Sequence, residues 1–270
     1  FILRENVPDD YSSCKKIVDE LARRRVNVIL FTNGCKLSYI KDFEKMYPQI
    51  NFCTIESISA LRSEGSYSIL SFEGSYLAGV LAGLHTKTNK IGYVAPFSDP
   101  EVNQGINAFT MGVQRVNPDA EILLNWSGSW DNPSSEELAV QNLRANKVDV
   151  LTYHENGDTV PKTAERIGIY FIAFNEIYPS NKFCLASIRI DWKKVYGDLI
   201  GYDKRYLESS TSNVRYVRDD YKTKYAYGVA QNIVNFETFD RISTREKVLI
   251  DNLSFKIPKG AIVGIIGPNG

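Results

Sequence analysis

Metal-binding and redox chemistry have little to work with in this chain of 270 residues. Its four cysteines, Cys14, Cys35, Cys53 and Cys184, form no CxxC pair, and its two histidines, His85 and His154, stand far apart. Zinc needs clustered thiolates and imidazoles, so a zinc site is not expected, and the cysteines read first as small buried apolar side chains. A Cys35–Cys53 disulfide fits an exported protein, because both residues sit beside neighbouring predicted strands. Excess charge of either sign is also lacking, since 32 Lys and Arg balance 32 Asp and Glu. No global field draws nucleic acid or an anionic membrane surface, and nucleic acid is not an expected partner. No run approaches the roughly 20 apolar residues a membrane helix needs. Phe1-Ile-Leu-Arg lacks the zones of a signal peptide, which leaves an upstream lipid anchor as the expected membrane link.

What is present is a large apolar fraction, 43%, beside 24% charged residues, enough for a sizeable core in one large or two modest domains. Short β-rich runs alternate with segments of helical period, which argues for βαβ units and parallel sheets. Strands are predicted at 1–4, 26–32, 51–55, 67–71, 90–95, 120–125, 148–153, 169–174 and 183–188, with helices between. Asp10-Tyr-Ser-Ser opens the first helix, and Arg23-Arg24-Arg25 reads as its solvated end. Ser98-Asp-Pro-Glu101 has the form of a capping box, with Ser98 as the cap, and Asn132-Pro133 starts another helix with proline at its first position. Gly74, Gly79 and Gly83 leave part of one helix as bare backbone, each weakening it by roughly 1 kcal/mol. Close packing, or approach to a ligand, would offset that loss. From Gly201 to Lys224 the pattern dissolves into polar residues, as in a surface loop.

The last letters, GAIVGIIGPNG from Gly260 to Gly270, read like the strand entering a phosphate-binding loop. Such a loop needs GxxxxGK[ST], and the lysine and hydroxyl residue do not follow Gly267-Pro-Asn-Gly270. No nucleotide hydrolysis is expected from these residues, although a fragment leading into an ABC ATPase stays an alternative. No nucleophile with a base, no acid–base pair beyond His154-Glu155 and no cofactor motif stands out, so an enzyme is not expected.

The stretch GSYLAGVLAGLHTKTNKIGYVAPFSDPEVNQGINAFTMGVQRVNPDAEILLNWSGSWDNP, Gly74 to Pro133, resembles the basic membrane lipoprotein family. Its members are extracytoplasmic receptors of ABC importers that bind purine nucleosides or nucleobases. The earlier ENVPDDYSSCKKIVDELARRRVNVILFTNG is similar to the family as well, and the likeness is readable to about Tyr196. The resemblance implies a two-lobed α/β fold of the type 1 periplasmic binding proteins, each lobe a parallel sheet flanked by helices. One lobe would comprise 1–71 with a return segment at about 189–225, the other 72–188, with 226–270 a tail of unassigned lobe. The family's first βα unit precedes the region matched by Phe1 and has no counterpart here.

In such receptors the ligand lies where strand ends and helix starts face a cleft. The corresponding loops supply Asn33, Phe97, Trp130, Tyr153, His154, Glu155, Asn175 and Glu176. A flat heteroaromatic ligand needs an aromatic platform and directional groups at its edge, and this set suits a purine. Singly, Phe97 and Trp130 fit a core equally well, and Glu155 and Glu176 fit helix caps. Family nucleoside receptors hold ribose with acidic groups and a lysine near the strand of Ser187. Here that strand offers Arg189, Asp191 and Trp192 but no lysine, so a free base and a nucleoside are equally admissible. The resemblance therefore implies a periplasmic or cell-surface lipoprotein that binds a purine, with importer permease subunits as partners. A ligand-sensing domain of a membrane receptor is the alternative use of the same fold.

Overall fold

A computed structural model describes residues 2–32, 36–55, 66–200, 215–219 and 222–251. Asn33, Cys35 and the Gly260–Gly270 stretch lie outside them. The chain forms two compact units, Phe1–Leu70 with Trp192–Gln231, and Ser71–Asp191 with Asn232–Gly270, and therefore passes from one to the other three times.

In the first unit, α1 (Tyr11–Arg23), β1 (Val28–Phe31), α2 (Leu37–Met46), β2 (Asn51–Ile55) and β3 (Ser66–Ile69) follow in order. After α7 (Trp192–Ile200), the strands β9 (Arg215–Asp219) and β10 (Lys222–Tyr227) complete a sheet of order β1-β2-β3-β10-β9. All its pairs are parallel except β9 with β10. The amphipathic α1 and α2 bury Cys14, Val18, Leu21, Ile40 and Phe43 against Ile29 and Phe52. Asp10 caps α1 by accepting from the Ser13 amide at 2.9 Å, and Arg23, Arg24 and Arg25 are exposed at its carboxyl end.

Two expectations fail in this unit. The strand predicted at 1–4 does not form: Ile2 packs on the α1/α2 core while Leu3 is exposed, and no described strand lies beside residues 2–4 to complete a ladder. Of the loop expected at 201–224, residues 201–214 and 220–221 lie outside the described ones, and the rest holds β9 and the start of β10, an antiparallel pair at the end of the sheet, where strands need little apolar sequence.

The second unit contains α3 (Ser71–His85), β4 (Lys90–Ala95), α4 (Pro100–Val116), β5 (Glu121–Trp126), α5 (Pro133–Ala145), β6 (Val150–Tyr153), α6 (Thr159–Ile167), β7 (Tyr170–Phe174) and β8 (Cys184–Ile190). It closes with β11 (Val234–Thr238) and α8 (Thr244–Asp251). Its sheet runs β11-β8-β7-β6-β4-β5, parallel but for the antiparallel β11. The inner strands are buried on both faces and so read as unbroken apolar runs. One face carries α5 and α6 over Leu143, Leu151, Tyr153, Val160, Ile169 and Phe171. Helix α3 is apolar all round and buried, and it packs tightly on α4.

Asn132 and Glu136 open α5 reciprocally: the Asn132 side chain accepts from the Ser135 amide at 3.2 Å, and Glu136 accepts from the Asn132 amide at 2.9 Å. Asn132→Ala removes the first of these bonds. It should cost about 1 kcal/mol, read as a lower midpoint in urea with an unchanged slope. The capping box expected from Ser98 is shifted by one residue. Asp99, in extended conformation, accepts from the Glu101 amide at 2.9 Å, Pro100 takes the first helical position, and Ser98 hydrogen-bonds Asn103 instead.

Candidate ligand-binding site

The carboxyl ends of β4, β5, β6 and β7 lie along one edge of the second sheet because all four strands are parallel. The loops leaving them are tied together by backbone hydrogen bonds. The Ser127 and Gly128 amides donate to the Ala95 and Pro96 carbonyls, His154 donates to Val94, and Asn156 donates to Trp130. These bonds hold the loops after β4, β5 and β6 in one wall.

A row of rings runs along that wall. Phe97 meets Trp130 edge-on at 5.3 Å, Trp130 meets His154 at 6.0 Å, and His154 lies 4.3 Å from Phe174. Phe97 is 40% exposed and Trp130 half-buried, whereas His154 and Glu155 are each 4% exposed. Phe174 opens the candidate loop Phe174-Asn175-Glu176 but is not singled out as a site residue by the sequence reading. Strand register is the signal that finds it: Thr152 pairs with Ile172, so the residues two further on along the same face, His154 and Phe174, must be neighbours. Ser127 was also missed; its hydroxyl lies 2.7 Å from Glu155 Oε1 and 2.9 Å from the Ser129 carbonyl.

Burial sets the protonation of this wall. It pushes Glu155 up to about 7, helped by the nearby Glu136 charge and opposed by the Ser127 hydrogen bond. The His154 imidazole is pushed down to about 4 by burial, against a smaller pull from Asp99. Tyr93, buried below, is raised by burial and by the Glu155 charge. Below about pH 7 both His154 and Glu155 are therefore uncharged down to about pH 4. Glu155 Oε2 and His154 Nδ1 are buried without a hydrogen-bond partner among the described residues. Two such buried atoms are costly unless something supplies partners.

Other predicted site residues stand elsewhere. Tyr153 points to the opposite face from His154 and is 1% exposed within the α5/α6 core, as alternation along a strand requires. Asn175 and Glu176 are exposed after β7, with Asn175 in the left-handed region at φ 65° and its amide donating to the Ile188 carbonyl at 2.7 Å. Arg189 is engaged by Glu237 at 2.7 Å. Trp192 belongs to the first unit, where it stacks on Tyr196 at 5.5 Å. Cys14, Cys53 and Cys184 are buried, and burial raises Cys53 to about 11 and Cys184 to about 12, while Cys35, the predicted disulfide partner of Cys53, lies outside the described residues. Among the described residues no cluster of His, Cys, Asp and Glu could hold a metal ion, and no helix is long and apolar enough to cross a membrane.

Comparison with known proteins places this geometry. A purine-binding protein of Brucella abortus (strain 2308) is 25% identical over 268 residues, covering 98% of this chain and 72% of the relative. Other curated relatives are spanned over about half of their length or less. A crystal structure of a transcriptional activator of the comK gene from Bacillus halodurans superposes with a TM-score of 0.72 at 18% identity, over 90% of this chain and 82% of that one. An ABC transporter solute-binding protein from Conexibacter woesei gives 0.64 at 15% identity, over 93% and 85%. These likenesses show the type 1 periplasmic-binding-protein fold. A family model described as ABC transporter substrate-binding protein, PnrA-like, matches residues 2–247, and the chain belongs to that family, Bmp.

Proposed function

We propose that this protein captures a purine, as free base or nucleoside, outside the cytoplasm and presents it to the permease of an ABC importer. The observation that carries this reading is the strand-end wall of the second unit. There the rings of Phe97, Trp130 and Phe174 form one row with His154, and two buried polar atoms, Glu155 Oε2 and His154 Nδ1, are without partners among the described residues. A heteroaromatic ligand offers apolar faces to the rings and polar edge atoms to the carboxyl and imidazole, so it satisfies both at once. A neutral sugar would fill the hydrogen bonds with a ring of hydroxyls and would not need this row of aromatic edges. Membership of the Bmp family and the name of the Brucella relative point the same way. Binding on this reading shifts a conformational equilibrium and drives no chemistry.

Calorimetric titration with adenine, guanine, adenosine, guanosine, glucose and magnesium-ATP tests the proposal. A base or nucleoside should bind with micromolar or tighter affinity, corresponding to about −8 kcal/mol, while glucose and magnesium-ATP should not. Binding of glucose in the absence of purine binding would overturn it.

A further inference from the structure

Ser127 has one hydroxyl proton and two acceptors at short range, Glu155 Oε1 at 2.7 Å and the Ser129 carbonyl at 2.9 Å, with the Ala95 carbonyl farther off at 3.4 Å. Both contacts have hydrogen-bond length, yet a single hydroxyl proton serves only one of them. The Ser129 carbonyl has no proton to give. The second proton must come from Glu155, which gives a one-way relay: Glu155 Oε1–H donates to Ser127 Oγ, and Ser127 Oγ–H donates to Ser129 O. In that arrangement Oε2 is the carbonyl oxygen of a neutral acid, and it is the carboxyl atom without a partner among the described residues.

The surroundings favour the neutral form. The Glu136 charge from α5 acts on Glu155, the Glu155 charge in turn acts on Tyr93 of β4, and the charge of Asp99 at the start of α4 acts on His154. These neighbours are acidic or neutral. An ionised Glu155 would be a buried anion supported by one hydroxyl and opposed by Glu136, with the Ser129 carbonyl losing its donor.

We propose that Glu155 is a proton-carrying specificity residue, a neutral acid that donates through Ser127 to the Ser129 carbonyl and whose Oε2 selects an uncharged heterocycle offering an N–H at its edge. The inference rests on the purine reading above and deepens it. A ligand that turned an unprotonated ring nitrogen to Oε2 would set lone pair against lone pair, so the site distinguishes edges by hydrogen-bond pattern. A bound uncharged ligand also screens Oε2 from water and keeps the carboxyl protonated to higher pH than in the free protein. Complex formation then takes up one proton whenever the free carboxyl is ionised.

The test is the pH dependence of adenine and guanine binding to the wild-type protein and to Glu155→Gln between pH 6 and 8.5. Glutamine keeps the relay, with its amide donating to Ser127 and its carbonyl oxygen in the place of Oε2. Wild-type affinity should be level up to about pH 7 and then fall about tenfold per pH unit, to about thirty-fold weaker at pH 8.5. The glutamine variant should bind within a few-fold of wild type at pH 6 and show no such fall. Affinity that rises or stays constant with pH in the wild type, or a loss of more than tenfold at pH 6 in the variant, would overturn the proposal. Infrared difference spectra of the two free proteins at pH 6 read the relay without ligand. A protonated-carboxyl stretch absent from Glu155→Gln is expected. If no purine binds, the capture reading fails, while that band still decides the proposal: its presence supports the neutral acid and its absence overturns it.

Discussion

Gly79→Ala is expected to destabilise the protein by about 2 kcal/mol or more, although alanine is the better helix former by about 1 kcal/mol. A Cβ at Gly79 would lie 2.0 Å from the carbonyl oxygen of Phe109, and one at Gly112 would lie 2.1 Å from that of Tyr76. Both obstacles are backbone atoms inside helices, so neither can swing aside. The two glycines therefore mark where α3 and α4 touch main chain to main chain, and a methyl group there forces the helices apart along a contact that includes Val80, Phe109 and Val113. Part of that packing is lost in addition to the direct overlap. Gly197 in α7 is the internal control: among the described residues nothing lies within 4 Å of a Cβ built on it. Gly197→Ala should be neutral or stabilising by up to about 1 kcal/mol. Urea denaturation of the two variants separates close approach from propensity. Equal, mild effects would show that the α3/α4 contact tolerates a methyl group. The displacement also reaches the candidate site, because Gly105 of α4 sits where a Cβ would come 3.2 Å from both His154 Nδ1 and the Tyr93 hydroxyl. Gly79→Ala should thus weaken ligand binding as well as stability.

The legibility of the fold follows from burial. Strands β2, β4 and β7 stood within a residue of their predicted bounds because the sheet interiors demand continuous apolar runs, which polar helix faces interrupt cleanly. The β9–β10 hairpin was not legible, since a two-strand addition at the end of a sheet obeys little beyond turn chemistry, and its Asp, Lys, Arg and Tyr letters match a loop equally well. Helix caps were legible to within one residue: Ser98 and Asp99 both carry a suitable oxygen, and only backbone geometry decides between them. Within the candidate site, His154, Glu155, Phe97 and Trp130 could be named from strand ends alone, and the structure brings them together. Which neighbour of His154 faces the wall could not be named that way. Tyr153 and His154 are adjacent letters on opposite faces, and Phe174 enters only through the pairing of β6 with β7.

That alternation separates a ligand residue from a core residue of the same chemical kind, and it carries the second large expected effect. Trp130→Ala should weaken binding of the preferred purine by about 10- to 100-fold, since stacking on an aromatic side chain is worth about 1–3 kcal/mol per base by alanine substitution. Trp130 is half-buried, touches Phe97 and His154 by its edges, and is fixed through its carbonyl to the Asn156 amide at 2.8 Å. The backbone bond survives truncation of the ring, so the loop keeps its place and stability should fall little. Trp130→Phe restores an aromatic face and should recover most of the affinity. Tyr153→Phe provides the contrast. It removes only a hydroxyl from a ring already enclosed among Leu143, Val160 and Phe171, and should leave purine affinity within about two-fold. Calorimetry of the three variants beside thermal denaturation reads both quantities. If Tyr153→Phe abolished binding while Trp130→Ala left it intact, the ligand would lie on the α5/α6 face of the sheet and not along the wall of Phe97, Trp130, His154 and Glu155. The pattern expected instead is loss of affinity without loss of stability at Trp130, because a partly exposed ring held by its neighbours' edges has a free face to give to a ligand, whereas a ring closed in on both faces has none.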